Sequence, residues 1–384
     1  MDKANYTVSL YNENHEASLR KFVEYFWATD SSANTRIEQS GQSNATKEKS
    51  EKMRPPTFLF LKDDEVLGHI ATIPVRLLIH SRIISAHWVV GFMVMPEYRN
   101  GPIGPLLIKK VNETIDFAMT LHVENNVLRI FKGLGWKHPG VIPQFIQVID
   151  AYRLLKEVNI ERLKGRNDVI GKCLVIGLSN TFTRFLLAFF ASIALKIWSL
   201  GTSVIRPRCG PYKVVEEYSF DASYDALWEE VGGKFDATVV RDGKYLENRF
   251  GSRIERYRLL ACRKNKRLIG YCILKVKAFH NDPRMGNARV GTLVDCLFNP
   301  EDFSGLQLLF FEAKKTFKNE KVDAIFCTAS YLPLRNFLIK NGFIKVPGNL
   351  NFAFHGSNLL EPLEDFRLSE WHIMRGDADA DQNF

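Results

Sequence analysis

The chain has 384 residues, and at about 100–200 residues per domain that length points to two domains. A hydrophobic fraction of 46% beside 25% charged residues excludes a wholly disordered chain, and the formal charge of +9 favours anionic partners without naming one. The six Cys form no CxxC pair and keep no metal-ligand spacing from a His, which argues against a disulfide scaffold or zinc site and for a reducing compartment.

The stretch Met1–Asn5 lacks the basic-then-apolar order of a secretory signal, so a cytoplasmic location is expected. Residues 6–29 read as a strand and an amphipathic helix, with Leu19, Phe22, Val23 and Phe26 at helical spacing. Residues 30–54 carry no aromatic residue and read as a solvated loop. Strands follow at 57–61, 66–73, 75–79 and 83–94, an antiparallel meander that breaks at Pro96. After Asn100-Gly101-Pro102 a helix is expected with Leu106, Leu107, Ile108 and Val111 on one face, then a strand at 117–123, a helix at 126–134 and a strand at 144–149. Residues 151–210 read as a helical, partly apolar linker. Its segment 185–205 fits a buried interdomain helix, an in-plane membrane helix or a span, and Lys196 argues against the span. A peripheral contact through 169–208 with the inner face of a membrane would use Lys172, Arg184, Lys196, Arg206 and Arg208. The second half repeats the order of the first. Helices are expected at 224–231 and around Tyr245, and strands at 257–263, 268–277 and 288–297. A helix at 306–317, a strand at 324–329, a helix at 333–341 and a strand at 351–355 complete the repeat, and 376–384 reads as a frayed acidic tail.

The stretch Val94-Met95-Pro96-Glu97-Tyr98-Arg99-Asn100-Gly101-Pro102-Ile103-Gly104 ends a strand, turns and opens a helix. Helix N-termini leave backbone N–H groups unpaired, which together with glycine and an Arg suits a diphosphate, although a plain turn looks the same. This stretch resembles the acyl-CoA loop of GCN5-related N-acetyltransferases, Arg/Gln-x-x-Gly-x-Gly/Ala. Arg99 and Gly104 match, and Pro102 stands at the first Gly position. Asn125 to Trp136 is similar to the closing helix of that family, and Leu334 to Phe343, ending Asn341-Gly342-Phe343, is its counterpart in the second half. The resemblance implies an α/β fold of two such domains, 1–150 and 211–375, each a mixed, mainly antiparallel sheet flanked by helices. It also implies acetyl-CoA or another acyl-CoA as co-substrate, held by Val94, Met95, Arg99, Asn100, Gly101, Ile103, Gly104 and Asn125. The second half carries neither the Arg nor the Gly pair at Asn299–Gly305, so the first half is the expected acyl-CoA binder and the second the builder of substrate surface.

Transfer to an amine needs a base, and His87, Glu97 and Asp295 are the candidates, each with an ordinary structural alternative. The family's general-acid Tyr is replaced by Phe131 and Leu338. Solvent or another residue must then protonate the leaving thiolate, or the half concerned is not catalytic. Arg241-Asp242-x-x-Tyr245-Leu246-x-x-Arg249-Phe250 and Trp371…Gly376-Asp377-x-Asp379 are similar to motifs of tandem acyltransferases beside surface-polysaccharide genes; the first also occurs in Fem-type transferases. That resemblance makes Arg241, Asp242, Tyr245, Arg249, Asp377 and Asp379 the expected substrate contacts, and an amino sugar or lipid-linked cell-surface amine the expected acceptor. The alternatives are an aminoacyl-tRNA-dependent Fem-type transferase and a degenerate, membrane-associated interaction module. Nucleic-acid binding is not expected from the dispersed basic residues, and neither HExxH nor GxSxG is present, so no metal and no serine hydrolase is expected.

Overall fold

The computed structural model describes residues 5–29, 55–157, 210–282, 285–356 and 367–381, with isolated helical positions at 183, 189, 190 and 193. The expected loop at 30–54 and the apolar segment 169–208 lie outside the described residues apart from those positions. The chain divides into two compact units: unit 1 holds 1–76, 85–140 and 350–366, and unit 2 holds 77–84, 141–349 and 367–384.

Unit 1 opens with β1 (Tyr6–Leu10) and α1 (Glu16–Thr29), followed by the meander β2 (Thr57–Lys62), β3 (Glu65–Ile79) and β4 (Arg82–Val94). Then come α2 (Ile103–Thr114), β5 (Phe117–Leu121) and α3 (Asn125–Gly133). β1, β2 and β3 pair antiparallel, whereas β4 runs parallel to β5, as a strand–helix–strand crossover requires. Every residue of β5 is buried, as expected of a strand covered on both faces. α2 buries Ile103, Gly104, Leu107, Ile108 and Val111; Leu106, expected on that face, is 40% exposed. Gly68 of β3 lets α2 approach the sheet, since a Cβ there would stand 2.7 Å from Ile103 Cγ2.

Unit 2 takes in most of β6 (Lys137–Val148), then α4 (Ala151–Glu157), β7 (Tyr212–Glu217), α5 (Ala222–Val231), β8 (Ala237–Val239) and α6 (Gly243–Phe250). It continues through β9 (Arg258–Lys264), β10 (Arg267–Ala278), β11 (Arg289–Phe298), α7 (Phe303–Asn319), β12 (Ala324–Thr328) and α8 (Leu332–Lys340). β13 (Ile344–Gly356) and β14 (Trp371–His372) end it. Its main strands run in the order β6-β12-β11-β10-β9-β7, where β11 and β12 form the parallel pair, and β8 and β14 also pair parallel.

The units are not the contiguous halves 1–150 and 211–375. The end of β13, Phe352–Gly356, pairs antiparallel with β5 in unit 1, while Gln144–Val148 of β6 pairs antiparallel with β12 in unit 2. Each unit thus borrows a strand from the other half of the sequence. β3 runs through Pro74, where two strands were expected, and β6 and β13 start earlier than the alternation of apolar residues predicts. β8 and β14 are too short for any period to announce them. The acidic tail is a correction: Gly376–Ala378, Ala380 and Asp381 are buried.

Candidate active site

In unit 1 the register between β4 and β5 ends at Val89↔Thr120, yet β4 continues to Val94, so Val90–Val94 have no partner on the β5 side. Both α2 and α3 begin where these two parallel strands end. The crevice beyond the carboxyl ends of diverging parallel strands is where open α/β sheets bind ligands, and helix N-termini there suit anions. β4 kinks at Gly91, whose φ is +60°. The His69 imidazole meets that kink, with Nδ1 2.8 Å from the Gly91 carbonyl oxygen.

The expected acyl-CoA residues fall into this region with two corrections. The Met95 N–H, expected to serve the thioester, donates to the Leu67 carbonyl at 2.9 Å, and the Val94 carbonyl accepts from Arg99 Nε at 3.2 Å. The open backbone therefore lies upstream, around Gly91. Arg99 also lays its guanidinium over the Phe26 ring of α1, 5.8 Å from the centroid, which fixes the exposed side chain beside the α2 N-terminus. In the first turn of α2 only Ile103 and Gly104 carry an N–H, because Pro102 and Pro105 flank them, and Gly101 N–H already donates to Tyr98 O at 3.0 Å. Asn100 is exposed in the same turn. Asn125 opens α3 and accepts from Asn351 Nδ2 at 3.3 Å.

Of the candidate bases, Glu97 sits exposed on a single turn of 3-10 helix. His87 lies where β4 is still paired with β5, its Nδ1 3.2 Å from Thr72 Oγ1, and burial lowers its pKa. Asp295 belongs to unit 2, is 1% exposed and is committed to Arg241, whose Nε donates to it at 3.1 Å, which corrects its candidacy as a base.

Unit 2 repeats the divergence. β11 and β12 part after Leu293↔Cys327, leaving Val294–Phe298 without a partner on that side. Here the gap is filled by the chain itself. Ala329 bridges to Met374, Ser330 N–H donates to Ile373 O at 3.1 Å, and His372 Nε2 donates to Cys296 O at 2.8 Å. Gly376 lies so close to β11 that a Cβ would meet Val294 O at 3.1 Å. Beneath this segment Arg241, fully buried, reaches Asp295 with Nε at 3.1 Å and Asp377 with Nη2 at 2.7 Å to both oxygens. Tyr271 donates to Asp295 at 3.0 Å, and Met374 N–H to Asp377 at 2.7 Å. Burial opposes the Arg241 charge, and the two carboxylates more than offset it, raising its pKa above the ordinary value. Arg249 donates to Gly376 O at 3.0 Å, to Ala378 O at 2.6 Å and to Asp381, whose carboxylate also accepts from Tyr257 at 2.6 Å.

Of the expected substrate contacts, Arg241, Arg249 and Asp377 thus bind the fold to its own C-terminal segment, and Asp242 caps α6 by accepting from Tyr245 N–H at 2.9 Å. This corrects the expectation for those four: Arg241, Asp377 and Arg249 find their charge partners within the protein, as a buried charge must, and Asp242 serves as a helix cap. Tyr245 and Asp379 differ. Among the described residues the Tyr245 hydroxyl hydrogen-bonds to none, and the Asp379 carboxylate only to its own backbone amide.

At the α7 N-terminus, where the second half would need its phosphate loop, Asp302 caps Ser304 N–H at 3.1 Å. A cavity of about 500 Å³ there is lined by Lys264 and Arg267 but also by Glu230 and Asp302, and Arg267 pairs with Glu230 at 2.6 Å. Charge of both signs makes it a poor diphosphate cradle. Among the described residues no group of three or more His, Cys, Asp or Glu could hold a metal ion, and no helix is long and apolar enough to cross a membrane.

No protein-family model matches the sequence, and no curated protein matches it significantly. Solved structures do share its fold. A GCN5-related N-acetyltransferase from Anabaena variabilis is similar over 94% of this chain and 75% of its own, with TM-score 0.56 and 9% identity. A conserved protein from Enterococcus faecalis, a probable N-acyltransferase, has the same coverage with TM-score 0.54 and 9% identity. Saccharomyces cerevisiae N-myristoyltransferase with bound myristoyl-CoA matches over 92% of this chain and 84% of its own, with TM-score 0.50 and 12% identity.

Proposed function

On the premise that this chain carries the fold of the GCN5-related N-acetyltransferases, we propose that unit 1 binds an acyl-CoA between the diverging ends of β4 and β5 and transfers the acyl group to an amine. The observation that carries this reading is the contrast between two equivalent gaps. Among the described residues one is open beside Arg99 and two helix N-termini, and the other is filled by residues 371–378.

The diphosphate would meet the Ile103 and Gly104 amides and the Arg99 guanidinium, and the thioester would lie against β4 near Gly91. Phe131 and Leu338, at the positions of the family's general acid, are both fully buried apolar residues, so the leaving thiolate takes its proton from water. The acceptor amine is the finer part of the proposal. Amino sugars and lipid-linked amines come first among acceptors to screen.

Calorimetric titration of acetyl-CoA and of myristoyl-CoA into the protein tests the donor. Arg99→Ala should weaken binding about 10-fold, the worth of one charge-assisted hydrogen bond. Gly104→Val should abolish it, because even a Cβ stands 3.1 Å from Phe92 Cζ. Absence of heat with either acyl-CoA would retire the reading.

A further inference from the structure

Three features converge on His69. It lies on β3 facing the kink of β4, where Gly91 is the second residue past the last β4–β5 pair. Because a carbonyl only accepts, the 2.8 Å contact with Gly91 O places the ring proton on Nδ1 and leaves the lone pair on Nε2. Among the described residues nothing hydrogen-bonds to that second nitrogen. The ring's neighbours are Leu59 across on β2, Phe22 of α1 at 6.4 Å between centroids, and Gly91, where a Cβ would press on His69 Cε1 at 3.3 Å. None of these is charged, and burial lowers the imidazole pKa, which its bond to Gly91 only partly opposes.

We propose that Nε2 of His69 is the base that takes the proton from the acceptor amine, a role that rests on the acyl-transfer reading above. The ammonium gives one proton to Nε2, and the neutral nitrogen attacks the thioester carbonyl to form the C–N bond. The C–S bond then breaks with its electron pair leaving on sulfur, and the proton shed by the amide nitrogen goes to water. Water protonates the thiolate, and the imidazolium returns its proton to solvent. In unit 2 the residue paired with Asp295 on the neighbouring strand is Ile273, and the imidazole that enters that gap, His372, is fully buried with Nε2 bonded to Cys296 O. His87 hydrogen-bonds inside the paired part of β4 and stands away from the open backbone.

The experiment follows thiol release against pH for the full chain, His69→Gln and His69→Gly, with acyl-CoA binding measured in parallel. His69→Gln should bind acyl-CoA like the parent while losing about 100-fold or more in kcat/KM, together with the acid limb of the profile. Imidazole added to His69→Gly should restore part of the rate. In the unmutated protein that limb should fall below about pH 6.5 and shift with temperature as an imidazole does, a reading that needs no variant. A His69→Gln enzyme with parental kcat/KM and an unchanged acid limb overturns the proposal, as does a parental limb with the small temperature shift of a carboxylate. If the unmutated protein binds no acyl-CoA, the acyl-transfer reading itself has failed, and that result is seen before any variant is made.

Discussion

Arg241 divides one guanidinium between two carboxylates out of reach of solvent, an arrangement that is costly to break and cheap to replace as a whole. Arg241→Met should destabilise unit 2 by about 3–5 kcal/mol in denaturant unfolding, because Asp295 and Asp377 would stay buried without a counter-charge. Arg241→Lys should recover little, since an ammonium cannot present the fork that meets both. His372 gives a pH dependence. It is fully buried against Phe235, with ring centroids 4.8 Å apart; burial and the nearby Arg241 charge hold its pKa well below the ordinary value. An unfolded chain therefore binds a proton at His372 that the native one refuses, so its share of stability is present above about pH 6.5 and is lost as pH falls toward the folded value. Thermal unfolding midpoints taken downward from neutral pH should decline, and His372→Asn should flatten that decline. The motif around Arg241 was legible as a cluster of polar residues. That its members point at each other was not, because burial is a property of distant segments meeting.

At the scale of elements, the proposed diphosphate site depends on the start of α2. Pro102 removes an N–H that the family's Gly would offer. Pro102→Gly should tighten acyl-CoA binding by about 3- to 10-fold, the value of one added amide donor less the cost of a looser turn, and calorimetry would read it. Unchanged affinity would mean that the diphosphate does not lie at this turn. The helix itself was legible from its spacing of Leu107, Ile108 and Val111. The gap beside it was not, because a strand's divergence from its neighbour leaves no periodic mark. His69 was missed for the same reason: within β3 it is one of several polar residues, with Glu65, Thr72 and Arg76, and only its contact with Gly91 makes it more than that.

At the scale of the molecule, only one of two related gaps is open among the described residues, so the proposed acyl-CoA binding should saturate at one per chain. A stoichiometry of two would show that residues 371–378 leave their gap. The borrowed strands make a second prediction. A fragment of residues 1–150 lacks Phe352–Gly356, which pairs with β5 and stacks Phe354 on Phe117 at 5.7 Å. It should aggregate, with the β5 edge and its apolar face exposed. A fragment that stays monomeric with a cooperative unfolding transition would show that unit 1 does not need that strand.

The sequence by itself determined the alternation of strands and helices, the repeat of one order of elements in two halves, and the Arg99–Gly104 turn. These are local patterns in which side-chain spacing and turn chemistry act within a few residues. Only the tertiary structure decided which strand completes which sheet, that the acidic C-terminus is buried, and that His69 meets the kink at Gly91. Each of those depends on contacts between residues far apart in the chain, where pairing register and burial select among partners that look alike in sequence.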